Sequence, residues 1–329
     1  MTGYVRTCDG RRLTLPALLQ WSVRLTDGDP CDSFSVRFLY EAELSETLRK
    51  AVLFEAEELG RTAFTGVVDD YEIRMDKKGL LVEMTGRGLA ALLLDNQVRA
   101  AEYVRAQLED ILSTYVRPYG IVNIRAAAMP PVERFVVETG YTCWQVLAGF
   151  CRHSAEIFPR FLPDGTLVLG ETEKIQTVRL RQGRCISAAL SDSRYGLSSR
   201  QILVNTRTGQ QIAAENSEFL RRGGSCVKVQ GLTGNKVRAT WRTAAQRLED
   251  ARRDKHLIEV CVPGSFTAQP LDRVELTLPA MGTVSGTCLD RIMNIYALDT
   301  RYMKSCSSNF RFHFLNAFSA PYISRCGII

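Results

Sequence analysis

Phe64-Thr65-Gly66-Val67-Val68-Asp69-Asp70-Tyr71 near one end of the chain and Val284-Ser285-Gly286-Thr287-Cys288-Leu289-Asp290-Arg291 near the other each lead into a hairpin. The reading of the fold turns on whether the two are copies. Their identity is thin and far from a fixed-period array, so both a duplicated β-module and coincidence stay open. Outward from the first copy, Phe64 to Met75 and Leu80 to Thr85 flank Asp76-Lys77-Lys78-Gly79, whose closing glycine suits a tight turn between antiparallel strands. Upstream, Phe34, Val36, Phe38 and Tyr40 alternate with Ser35, Arg37 and Leu39, which predicts a strand buried on one face. Since an isolated hairpin is not stable, the strand-rich first ninety residues predict a small barrel or sandwich.

The period then changes. Asp95 or Asn96 is positioned to cap a helix carrying Ala101, Val104, Leu108, Ile111, Leu112 and Tyr115 on one stripe and ending before Pro118-Tyr119-Gly120. Thr142 and Gln145 form a capping-box pattern at the start of a second helix that turns Trp144, Leu147, Ala148 and Cys151 inward. Pro163-Asp164-Gly165 then closes a hairpin between Ile157–Leu162 and Thr166–Leu169. Residues 91–172 thus read as a helix-containing α/β domain. Strand patterns return at Val178 and Leu180, Ile186–Leu190, Ile202–Val204, Val227–Val229, Ile258–Val262, Val274–Leu278, Gly286–Leu298 and Phe310–Phe314. The polar stretch Thr206–Gly224 reads as an exposed loop or inserted hairpin. One further helix places Trp241, Ala244, Ala245, Leu248 and Ala251 on an apolar stripe, with Arg242, Arg247, Arg252 and Arg253 elsewhere around it.

The chain has 329 residues, 45% hydrophobic, 24% charged and 9% aromatic, which exclude a disordered or fibrous protein and call for at least two cores. No apolar run approaches the roughly 18 residues of a membrane-spanning helix. Pro16 and Gln20 interrupt the one stretch near the N-terminus that imitates a signal peptide. The net charge of +6 is spread along the chain and demands no nucleic-acid partner. Ten cysteines without a C-x-x-C pair point to reduced, mostly buried thiols and to no zinc site.

Several patterns imitate active sites. Gly86-Arg87-Gly88-Leu89-Ala90-Ala91 matches a dinucleotide fingerprint, but its strand belongs to an antiparallel hairpin where that fold needs a parallel βαβ unit. Cys151 and His153, two apart on a helix, point to different faces, and Cys143 and Cys151 are separated by about 12 Å of rise. The adjacent acids Glu57-Glu58 and Asp69-Asp70 split across strand faces, so neither pair alone makes a two-carboxylate site. No catalytic residue, cofactor or metal ligand is assigned. A hydrolase whose carboxylates, such as Glu57, Asp69 and Asp70, converge only in three dimensions stays open, as does an oligonucleotide-binding barrel.

The order of elements resembles phage baseplate hub proteins of the late control protein D group, with the Mu-like hubs and those of defective prophages and contractile bacteriocins. The resemblance is carried by Val82-Glu83-Met84-Thr85-Gly86-Arg87, Leu92-Leu93-Leu94-Asp95, Tyr119-Gly120-Ile121, Thr142-Cys143-Trp144-Gln145-Val146-Leu147, Asp164-Gly165-Thr166-Leu167, Val262-Pro263-Gly264 and Leu271-Asp272-Arg273-Val274. It implies a mainly β, α+β chain in which two tail-tube-like β-barrels, residues 1–90 and residues 173–205 with 256–329, flank the α/β domain, with 206–255 inserted. It further implies a non-enzymatic homotrimeric ring in the virion or tail-like particle, made in the bacterial cytoplasm, between a sixfold tail tube or tube initiator and a threefold central spike. Arg242, Arg247, Arg252 and Arg253 are the candidate subunit contacts.

Overall fold

The computed structural model describes residues 1–26, 30–76, 79–170, 175–181, 185–232, 244–253, 255–263, 268–278, 282–296 and 305–314. The first β-unit comprises β1 (Thr2–Thr7), β2 (Arg12–Thr14), β3 (Gln20–Thr26), β4 (Ser33–Leu39), α1 (Leu44–Lys50), β5 (Ala51–Glu58), β6 (Arg61–Asp76) and β7 (Gly79–Gly88). Period-two alternation buries Trp21, Val23 and Leu25 of β3 and Phe34, Val36 and Phe38 of β4. Phe34 stacks on Phe54 with ring centroids 4.2 Å apart, and Phe64 leans on Phe34 at 5.3 Å, so three strands share one aromatic centre. α1 is a short helix within a stretch that reads in the sequence as strands.

The middle region comprises α2 (Ala90–Leu94), β8 (Ala101–Ala106), α3 (Leu108–Tyr115), β9 (Ile124–Ala126), β10 (Val132–Val137), α4 (Cys143–Ala155), β11 (Pro159–Phe161) and β12 (Leu167–Leu169). Its core joins Ile111, Leu112 and Tyr115 of α3 to Val146, Leu147, Phe150 and Cys151 of α4. α4 starts as the capping box requires: Thr142 Oγ1 accepts from the Gln145 N–H at 3.1 Å, and Gln145 Oε1 accepts from the Thr142 N–H at 2.8 Å. The long helix expected to run from Asn96 is corrected. Residues 101–106 form β8, antiparallel to β10, and the helix starts only at Leu108, where Asp110 accepts from the Gln107 N–H at 2.8 Å. Val104, on the expected helical stripe, is largely exposed.

The last region comprises β13 (Thr177–Arg181), β14 (Ser187–Asp192), β15 (Arg200–Asn205), β16 (Gln211–Glu215), α5 (Ser217–Arg221), β17 (Val227–Leu232), α6 (Ala244–Arg253), β18 (His256–Pro263), β19 (Arg273–Leu278), β20 (Gly282–Tyr296) and β21 (Ser305–Phe314). β15, β16 and β17 form a separate small sheet covered by α6, and the remaining strands make a second β-unit.

The two units share one strand order. β1-β5-β6-β7-β4-β3 in the first corresponds, member by member and in the same chain order, to β13-β19-β20-β21-β18-β14 in the second. The direction of the outermost strand differs, since β1 runs antiparallel to β5 while β13 runs parallel to β19. Both long strands carry a β-bulge at the same place: the β6–β7 register shifts between Val68 and Asp70, and the β20–β21 register between Cys288 and Asp290. These registers superpose Gly66 on Gly286 and Asp70 on Asp290, which is the alignment of the two quoted stretches. An off-register backbone bond recurs as well, Leu19 N–H to the Arg37 carbonyl at 2.8 Å and Ile186 N–H to the Cys261 carbonyl at 2.7 Å. Core positions follow: Phe34, Val36 and Phe38 match Ile258, Val260 and Val262, and Phe54 and Ala56 match Val274 and Leu276, all buried.

Among the described residues neither unit closes into a barrel, so the expected two barrels are met only as two similar β-units. The outer edge of β3, free to close on its own unit, is instead taken by β20: Arg291, Ile292, Met293, Asn294 and Ile295 pair with Leu25, Arg24, Val23, Ser22 and Trp21. Both units therefore merge into one thirteen-stranded sheet with the central run β14-β18-β21-β20-β3-β4-β7-β6.

Two substitutions test this arrangement. A Cβ at Gly86 would lie 2.0 Å from the Val67 carbonyl oxygen and 2.6 Å from the Phe34 ring, so Gly86→Ala should cost about 3 kcal/mol in urea unfolding. Met293 is buried within the first unit's aromatic core although it belongs to the second. Met293→Ala should therefore cost about 2–4 kcal/mol, and a loss near zero would show that the seam is not packed.

Candidate assembly interface

The patterns that imitate active sites resolve into structural roles. Gly86 and Gly88 lie on β7, where Gly86 is required by the close approach of β6, and between them Arg87 clamps two carboxylates. Its guanidinium meets Asp69 at 2.7 and 2.9 Å and Asp95 at 2.8 and 3.0 Å. Hydrogen bonds to Asp69 and Asp95 raise the arginine's affinity for its proton, and the same clamp draws the Asp95 carboxyl below its usual range. The clamp ties the bulge to the start of the middle region. Cys151 is fully buried, which pushes its thiol up to about 12 and keeps it protonated, the opposite of an activated nucleophile. Glu57 is paired with Arg12 at 2.7 Å, so Glu57 and Asp69 are each held by a different arginine. No cluster of three or more metal-ligating side chains occurs among the described residues. A depression of about 50 Å³ beside Gln20, Ser22, Ser35, Arg37 and Glu83 is far below the roughly 300 Å³ of a small-molecule site.

What the fold does present is sheet edge and seam. At the β3–β20 seam Arg291 is buried, and desolvation lowers its affinity for its proton while the nearby Glu58 carboxylate opposes that shift. Its Nε has no hydrogen-bond partner. This cation is held where the two units join and escapes sequence reasoning, because its neighbour Glu58 stands at the other end of the chain.

Of the four candidate contact arginines, Arg242 lies outside the described residues, and Arg253 is placed on α6 without a described side chain. Arg252 pairs with Glu218 of α5 at 2.8 Å and with Glu249 at 3.5 Å. Arg247 donates to Gln230 Oε1 of β17. Arg247 thus ties α6 to its own sheet and Arg252 ties it to α5, roles the sequence did not suggest.

The open edges are a second feature missed at the sequence level. β14 ends the central run, and the stretch Asp70–Asp76 of β6 has β7 on one side and no strand on the other among the described residues. Tyr71, Ile73 and Met75 alternate along that stretch, exposed, as is Leu190 on β14. The alternation is visible in the sequence; that it lies on an open edge is not.

Comparison with known proteins places this architecture. Residues 90–171 match the family described as baseplate hub protein gp44-like, second domain. Among curated proteins no sequence match was found. The fold resembles a tail protein from Neisseria meningitidis MC58 with a TM-score of 0.71 at 17% identity, over 94% of this chain and 95% of the other. It also resembles the 43 kDa tail protein of prophage MuSo2 from Shewanella oneidensis with a TM-score of 0.73 at 16% identity, over 95% and 98%. A type VI secretion component of E. coli, itself described as similar to bacteriophage T4 tail proteins gp27 and gp5, gives 0.53 at 12% identity over 91% and 74%. The resemblance to baseplate hubs read from the sequence agrees with these findings: the chain shares the fold of the two tail proteins, and residues 90–171 match the gp44-like baseplate hub second domain.

Proposed function

We propose that this protein is a structural baseplate hub of a contractile tail or tail-like injection particle. Three copies form a ring, and because each copy contributes two β-units of one strand order, the ring offers six similar faces to the tail tube and three to the central spike. The observation that carries this reading is the duplication, with strand order, bulge position and buried core positions shared by the two units. Cyclic assembly is the economical use of such a chain, since a head-to-tail contact that closes leaves no unsatisfied edge. The partners are a tube or tube-initiator protein on one side, the spike on the other, and further baseplate proteins around the rim. The protein's place is the baseplate of the particle, and it requires no cofactor and no catalytic step.

The subunit-contact role of Arg242, Arg247, Arg252 and Arg253 belongs to this proposal. Arg247 is the better test, because its bond within the chain is to the neutral Gln230, whereas reversing Arg252 would set a carboxylate against that of Glu218. Light scattering of the purified protein should give the mass of three chains, and averaged electron images should show a ring with six lobes; a stable single chain would refute the reading. Arg247→Glu should weaken the ring roughly tenfold or more while leaving the melting temperature of the subunit within a few degrees, and an unchanged assembly would remove that arginine from the contact.

A further inference from the structure

The seam inside the chain is a template for the seam between chains. In the central run, β20 of the second unit receives β3 of the first. By the correspondence of the units, β6 is the counterpart of β20 and β14 the counterpart of β3. Within one chain these two counterparts stand at opposite ends of the run β14-β18-β21-β20-β3-β4-β7-β6, so they cannot meet each other there. Each is an open edge among the described residues. We propose that β14 of one copy adds to β6 of the next, antiparallel, in the register that the internal seam dictates. The inference rests on the ring reading and specifies its joint.

The register follows without adjustment. Pairing of Met293 with Val23 and of Ile295 with Trp21 becomes Ile73 opposite Leu190 and Met75 opposite Ala188, with Tyr71 opposite Asp192, Glu72 opposite Ser191 and Arg74 opposite Ala189. The side chains agree with that transfer. Met293 is 1% exposed because β3 covers it, whereas its counterpart Ile73 is 42% exposed, and Leu190, the counterpart of the buried Val23, is 40% exposed. Two exposed aliphatic residues are thus brought opposite each other as a cross-strand pair. The bulge at Asp69 sets the direction of Asp70–Asp76 relative to β5, as the bulge at Leu289 does for the stretch of β20 that receives β3. Tyr71, Ile73 and Met75 on an uncovered edge would otherwise be a template for uncontrolled aggregation. A second copy is the occupant that fits, because its β14 carries the length and direction already accepted at the equivalent internal site, with Ala188 and Leu190 keeping two of its three apolar positions and Asp192 standing at the third.

A head-to-tail joint can be tested by complementation. Ile73→Lys disables the β6 edge and leaves β14 intact; Leu190→Lys disables β14 and leaves β6 intact. Both positions are surface-exposed in the single chain, so each variant should melt within a few degrees of the parent. Each alone should fall from the mass of three chains to that of one. Mixed in equal amounts, they should give particles of two chains, because one sound joint remains between β14 of the first variant and β6 of the second. An oligomer that survives both substitutions, or a mixture that stays at one chain, would overturn this joint while leaving the ring in place. A parent protein that is itself a single chain would instead sink the ring reading, and the joint with it.

Discussion

A strand at the edge of a sheet leaves a row of backbone donors and acceptors that something must satisfy, and the organisation of this protein follows from how its two units answer that demand. Each unit could in principle curl and pair its own first and last strands. Instead the edge of β3 is filled by a strand from the far end of the polypeptide, and Met293 enters the aromatic core built by Phe34, Phe54 and Phe64. That single pairing joins two modules into one continuous sheet and leaves, among the described residues, one edge of each kind open at the extremities of the run.

The bulges make the pairing possible. β6 and β20 are each too long to serve one neighbour: their first halves pair with β5 and β19, and their second halves lie beyond the ends of those strands. An extra residue, Asp69 or Leu289, bends the strand between the halves and raises its local twist. Gly66 and Gly86 permit the tight approach there, since any side chain at either position would meet a carbonyl oxygen. Arg87, clamped by Asp69 of the bulge and Asp95 of the next region, then carries that bend into the middle region. Charge at this point is structural, and the same residues that imitate a dinucleotide fingerprint in the sequence are consumed by it.

Local patterns in the sequence reported local structure well. Alternation located β4, β6, β7, β18 and β19, and the Thr142–Gln145 capping box marked the first turn of α4. They failed where the partner was remote. β8 takes its form from β10, some thirty residues downstream, so Ala101 and Val104 fell by chance on a helical stripe that only Leu108 and its successors honour. The burial of Arg291 and Met293 depends on residues near the opposite terminus, which no window of sequence contains. The thin likeness between the stretches at Phe64 and Val284 was the exception, a local signal with long-range meaning, because the glycine and aspartate it preserves flank the bulge in both units.

The inequality of the two kinds of edge has a physical logic of its own. β3 offers Trp21, Val23 and Leu25 to the internal seam, whereas β14 offers Ala188, Leu190 and Asp192 at the corresponding places, with Asp192 already paired to Arg222 at 2.5 Å. The internal edge is therefore the more apolar of the two, so hydrophobic burial favours its closing within the chain before any contact between chains is made. Its permanence also tolerates a buried guanidinium at Arg291, which a surface exposed before assembly would have no need to desolvate. On β6 the same position is Tyr71, flanked by Asp70, Glu72 and Arg74, charges that guard an uncovered edge against indiscriminate pairing. Sequence divergence between the repeats thus separates the joint made within the chain from the one proposed between copies, while the shared strand order offers both the same geometry.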